Sequence, residues 1–209
     1  MKAHVNHPLP TILYHWVNLI AMVILVVTGF YINKPFFEGW MAEARYLHFI
    51  AMYAIIANMV LRIYYAFFGK EKDAKKFKLG LKDWQPFVST LKYYMHLSDT
   101  KEGVKGYNPL QRISYLSVPV LIILQAVTGF ALFYPEALSG LVNFLGGLHL
   151  VRIQHYILMW VFIAFTIFHV YMVLAEAPEE AGVMLFNTKP AKDKADGGTY
   201  EENPDLRYR

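Results

Sequence analysis

Cysteine is absent from this 209-residue chain. Its absence excludes cysteine-ligated iron–sulfur clusters, c-type haem attachment and disulfides within the chain, and removes any clue to redox compartment. The first long apolar run has neither the basic start nor the small-residue cleavage site of a signal peptide, and it continues past the length of a signal core. It therefore reads as a retained span. The apolar runs are also nearly free of basic residues: of all the Lys and Arg, only Arg62 falls inside one.

Hydrophobic residues make up 56% of the chain, above the share of about half usual in soluble domains. Four apolar runs, at about 11–33, 46–68, 113–135 and 153–175, reach the roughly 20 residues that a helix needs to cross a bilayer. Backbone in contact with lipid must satisfy its own hydrogen bonds, so helices are the expected form. The predicted fold is all-α, an integral membrane bundle of four transmembrane helices over 1–175, with a loop at 69–112 and a flexible polar tail at 176–209.

The net charge of +4 matters by position. Ten Lys and Arg lie in 70–112, one in 1–10 and five after 175, whereas the two short connections carry only Lys34, Arg45 and Arg152. By the positive-inside rule both termini and the middle loop are cytoplasmic. These lysines flank spans and are mixed with acidic residues, so no nucleic-acid partner is expected. Within the middle loop, "LKDWQPFVSTLKYYMHL" carries Trp84, Phe87, Tyr93 and Tyr94, the mix of an interfacial segment touching membrane lipid. "LSGLVNFLGGLHL", ahead of the last run, suggests a short helix on the outer surface.

An ionisable side chain inside a membrane is a functional-site hypothesis by default. Histidines 15, 48, 155 and 169 lie within the spans. With the N terminus inside, His15 and His169 share an inner depth, and His48 and His155 share an outer one. His155 and His169 are 14 residues apart, ~21 Å along a helix and within roughly 40° of one face. Two stacked haems, each held by two axial imidazoles, need that arrangement, and two strong ligands suit electron transfer rather than oxygen activation. The competing readings are polar helix–helix contacts or a proton path, and a non-haem metal site, although a compact metal site needs its ligands at one depth. His4, His7, His96 and His149 read as water-facing, with a haem propionate the other option for His149.

The tetrapeptide VTGF occurs at 27–30 and again at 127–130, each time late in the first span of a hairpin. Gly29 is 14 residues after His15, which puts it at the outer histidine level, and Gly129 reaches a similar depth. Glycine lets a backbone approach a flat ligand closely, so both are candidates for haem packing; small-residue helix packing is the alternative.

These pieces, in this order and spacing, resemble the b-type cytochrome subunit of membrane-bound nickel–iron hydrogenases, whose related anchors serve formate dehydrogenases and thiosulfate reductases. "HW" at 15–16 followed by "VVTGFYI" is similar to that family's first span, "RYLHF" and "RIYYAFFG" to the ends of its second. "YNPLQ" and "VTGFAL" resemble the entry and exit of its third, and "HYILMWVFIAFTIFHVYM" its fourth. The resemblance implies two haem b groups, the inner on His15 and His169 and the outer on His48 and His155. It implies an iron–sulfur subunit and a large catalytic subunit on the outer face, and menaquinone or ubiquinone near the cytoplasmic side. It also points to Asn108 and Gln111 as the quinone site, although Asn108 equally suits a cap ahead of Pro109. Where the family carries a basic residue three positions before the first histidine, this chain has Ile12. A propionate or quinone contact at the inner haem is then either missing or supplied by Arg112 or Arg62, and Arg45 and Arg152 either neutralise the outer propionates or anchor span ends.

The expected function is a dihaem, quinone-linked subunit in the cytoplasmic membrane of a prokaryote. A stand-alone dihaem oxidase, taking electrons from superoxide or an external reductant, is the alternative. A transporter using the histidines as relays is the third reading, and it lacks the broken helices expected around a substrate site.

Overall fold

Apolar runs of this length close their backbone hydrogen bonds as helices, and the described residues contain helices and no strand. The structure is a computed structural model that describes residues 9–69, 84–94, 97–98, 109–176, 181–182 and 184–185. In chain order the helices are α1 (Leu9–Asn33), α2 (Met41–Phe68), α3 (Trp84–Tyr94), α4 (Pro109–Phe133), α5 (Ser139–Phe144) and α6 (Leu148–Glu176). α1, α2, α4 and α6 are each long and apolar enough to cross a membrane. No more than 22% of any of these spans is buried within the chain. Ile20, Val23, Leu61, Val120, Ile157 and Ile167 all face outward, a surface suited to lipid tails and not to water. The chain is a multi-pass membrane protein.

α2 and α6 begin at Met41 and Leu148, ahead of their apolar runs. The helices continue past the apolar stretch into residues such as Arg45 and Arg152, both exposed, so the first connection shortens to 34–40. α3 forms where the aromatic segment of the middle loop was expected, and α5 is the short helix anticipated before the last span. Gly146 and Gly147 join α5 to α6 with φ of +94° and +92°, values that glycine adopts without penalty and other residues rarely do. This turn sets the start of α6, and with it the placement of both α6 histidines.

Two antiparallel hairpins result, α1 with α2 and α4 with α6, and close backbone approach is concentrated within them. In lipid the hydrophobic effect does not drive helices together; close packing of small residues and interhelical hydrogen bonds do. Ala21 and Ala51 are buried with Ile55, Ile122 and Phe162 in mid-bundle. Buried Asn58 donates through Nδ2 to Asn18 Oδ1 at 2.7 Å and to the Tyr14 carbonyl at 2.8 Å, pinning α1 to α2 next to His15. Such a contact contributes about 0.6 kcal/mol on average. At the opposite end Tyr31 is buried, donates to the Phe37 carbonyl at 2.6 Å, and is ringed by Phe36, Phe37 and Trp40. Beyond α6 the chain returns to the start of α1: the Trp16 indole N–H donates to the Met184 carbonyl at 2.7 Å. Of the expected tail, residues 177–180, 183 and 186–209 lie outside the described residues.

Candidate functional site

The four span histidines meet in two pairs. The His15 and His169 rings have centroids 6.2 Å apart, and the His48 and His155 rings 6.4 Å. Each pair takes one ring from the first hairpin and one from α6. The 14-residue interval along α6 separates the two levels by ~21 Å. Among the described residues no three His, Asp or Glu gather to hold a bare metal ion, so a compact metal site finds no set of ligands there. Two imidazoles on opposite sides of one iron, with metal–nitrogen bonds of about 2 Å, have ring centroids roughly 6 Å apart. Both pairs fit that spacing.

The hydrogen bonds around the second pair decide which nitrogen is available to a metal. Thr28 Oγ1 lies 2.6 Å from the Ile24 carbonyl and 2.8 Å from His48 Nδ1. Thr128 Oγ1 lies 2.9 Å from the Leu124 carbonyl and 2.9 Å from His155 Nδ1. A hydroxyl has one proton, and a carbonyl only accepts. Each threonine therefore donates to its own helix and accepts from the imidazole, so Nδ1 carries the hydrogen and Nε2 the lone pair. At His155 a second contact agrees. The Gln125 amide nitrogen lies 3.3 Å from the His155 carbonyl and 3.3 Å from His155 Nε2, which makes that ring nitrogen an acceptor. Iron binding at Nε2 would displace this Gln125 contact.

The two glycines lie beside the same rings. A Cβ on Gly29 would stand 3.6 Å from His48 Cε1 and 3.6 Å from Met159 Sδ; on Gly129 it would stand 3.3 Å from His155 Cε1 and 3.9 Å from Met52 Sδ. Each glycine thus lies beside a histidine ring of the second pair. The 3.3 Å clearance is tighter than ordinary packing and the 3.6 Å one is not. Gly129→Ala is therefore expected to move the His155 ring and disturb the haem spectrum if that ring is a ligand, while Gly29→Ala leaves the spectrum nearly unchanged. Paired absorbance spectra of the two purified variants check this, and equal effects would refute it.

At the other level the Phe165 ring stacks on His169, with centroids 6.0 Å apart and planes 10° apart, and the Trp16 ring meets His15 edge-on at 5.8 Å. Arg45 and Arg152 each precede a histidine of the second pair by one turn and are exposed. Arg62 is 14 residues beyond His48 on α2, which puts it ~21 Å away, at the level of His15. Arg112 is partly buried near the start of α4. His149 is exposed. Asn108, His4, His7 and His96 lie outside the described residues, as does the side chain of Gln111.

Sequence alone pointed to the glycines of VTGF and passed over its threonine. A second signal was present. "RYLHFIAM" at 45–52 and "RIQHYILM" at 152–159 share R-x-x-H-x-x-x-M. Each hairpin thus carries VTGF late in its first helix and this pattern early in its second. The contacts follow the repeat: the α1 glycine faces His48 and Met159, and the α4 glycine faces His155 and Met52.

A family model for prokaryotic cytochrome b561 matches residues 6–185. A probable nickel–iron hydrogenase B-type cytochrome subunit from Cupriavidus necator is 31% identical over 200 residues, covering 84% of this chain and 81% of the relative. Another so named, from Escherichia coli, is 26% identical, covering 83% of each. A protein of Azospira oryzae named as a putative protein-methionine-sulfoxide reductase subunit is 30% identical, covering 76% of this chain and 85% of its own length. With the paired histidines in a lipid-facing bundle, these matches establish that the chain belongs to the prokaryotic cytochrome b561 family, as a multi-pass b-type cytochrome that carries haem b and transfers electrons.

Proposed function

We propose that the chain is a dihaem subunit carrying electrons between a hydrogenase-like partner on the outer face of a prokaryotic cytoplasmic membrane and the quinone pool. The observation that carries this reading is the pair of histidine pairs, with centroids 6.2 and 6.4 Å apart, at two levels of one bundle. His48 and His155 hold the outer iron, and His15 and His169 the inner. When bound, haem b supplies reversible one-electron chemistry. The protein's share is to supply ligands, exclude water and balance charge. Arg45 and Arg152 serve the outer propionates; Arg62 and Arg112 serve the inner. Asn108 and Gln111 bind the quinone, menaquinone or ubiquinone, on the cytoplasmic side, where the charge distribution puts both termini. Gly29 and Gly129 give the outer ligands room.

The partner is read as an iron–sulfur subunit with a large catalytic subunit, because relatives named as hydrogenase subunits cover more than four-fifths of this chain. The Azospira oryzae relative shows that a chain of this kind also carries a different subunit name. Subunits copurifying in mild detergent separate these partners, and isolation as a lone active protein would favour a stand-alone oxidase. The primary test is a reduced-minus-oxidised spectrum with a haem-to-protein ratio. Two low-spin b haems per chain are expected, and a ratio of one or none overturns the dihaem reading.

A further inference from the structure

Neither the family match nor the relatives' names give a role to the threonines of the repeated tetrapeptide, and the hydrogen bonds around them are specific. Thr28 is 2% exposed and Thr128 5% exposed. A hydroxyl buried in a bilayer helix is satisfied by its own i−4 carbonyl, and both threonines make that bond. The remaining lone pair of each is what reaches Nδ1 of the facing histidine. Two threonines 100 residues apart, on different hairpins, thus make the same contact to the two rings of one pair.

We propose that Thr28 and Thr128 are positioning residues for the axial ligands of one haem, each holding its histidine in the Nδ1–H tautomer and fixing the plane of its ring. This rests on the assignment of His48 and His155 as a ligand pair. The device works in three ways. It reserves Nε2 for the metal. It makes the imidazole a stronger donor, because a hydrogen bond from the far N–H raises ligand basicity. It also sets the angle between the two ring planes, 56° here. The threonine is itself anchored to its helix and cannot swing, so the ring cannot rotate without breaking the bond.

A stronger donor favours ferric over ferrous iron. Removing one hydroxyl should therefore raise the midpoint potential of that haem and leave the other as an internal reference. Loss of such a partner typically weakens metal binding by ~10-fold or more. A tenfold loss of ferric preference corresponds to about 59 mV for one electron.

The test uses the full-length chain with its copurifying subunits, in detergent, as Thr28→Val, Thr28→Ser and the same two changes at Thr128. Valine keeps the shape and lacks the hydroxyl; serine restores it. Redox titration and the low-spin ferric EPR spectrum, whose g-values follow the angle between ligand planes, are the readouts. Each valine variant should raise one potential and shift one EPR signal, and each serine variant should return both toward those of the unaltered protein. If a valine variant loses one haem and its serine counterpart keeps it, the hydroxyl is required and the proposal holds. Three results overturn it: valine variants with unchanged potentials and spectra, equal shifts of both haems, or serine variants that behave like valine. Failure of the ligand assignment is distinguishable, because His48→Ala would then retain both haems.

Discussion

A chain carrying His155→Ala is expected to purify with one haem in place of two, and quinone reduction by its complex is expected to fall to background. His155 is the α6 ring of its pair, and its neighbours Gln125 and Thr128 offer an amide and a hydroxyl, which do not replace an imidazole on a low-spin iron. The His15–His169 pair lies ~21 Å along α6 and shares no residue with the altered one, so its haem should remain. A haem bound at a thousand times its dissociation constant stabilises the fold by about 4 kcal/mol; the variant should accordingly melt at a lower temperature than the intact protein. The remaining haem should be reducible by quinol and not by the catalytic partner. Two haems in this variant would remove His155 from the ligand set.

His169→Ala should give the mirror result. The proposed inner haem should be lost and the outer one should stay, held by rings whose Nδ1 atoms lie 2.8 and 2.9 Å from the Thr28 and Thr128 hydroxyls. Reduction by the catalytic partner should persist for that haem, and quinone turnover should stop. Difference spectra recorded separately with the partner's substrate and with quinol distinguish the two variants. If quinol reduces the haem of His169→Ala and the partner reduces that of His155→Ala, the two levels are exchanged. The orientation inferred from the lysines then fails with them.

The spans and the histidine pairing were legible because both depend on simple periodicities. Apolar runs of bilayer length can do little other than form helices. A 14-residue interval returns to nearly one helical face, so the sequence alone places His155 and His169 at two levels of one helix. Helix ends were less legible: α2 and α6 extend beyond their apolar runs, and hydropathy does not mark where a helix continues through residues such as Arg45 and Arg152. The contact that each VTGF makes was not legible either. Depth counting put Gly29 and Gly129 at the right level, but only the crossing of the hairpins shows that a Cβ there would meet His48 and His155. The threonine next to each glycine looked like an ordinary small residue until its hydroxyl was seen between a carbonyl and an imidazole. The repeated R-x-x-H-x-x-x-M needed no structure at all; it becomes conspicuous once the two second helices of the hairpins are set side by side.

Every histidine pair joins the first hairpin to α6, and α4 supplies no ring to either. During synthesis, α1, α2 and α4 can all be in the membrane while each histidine pair still lacks its α6 member. Under the proposed ligand assignment, loading by two imidazoles requires the last helix and would tie together two hairpins that make little close backbone contact of their own. A product that ends before residue 155 carries His15 and His48 and lacks the α6 partner of each.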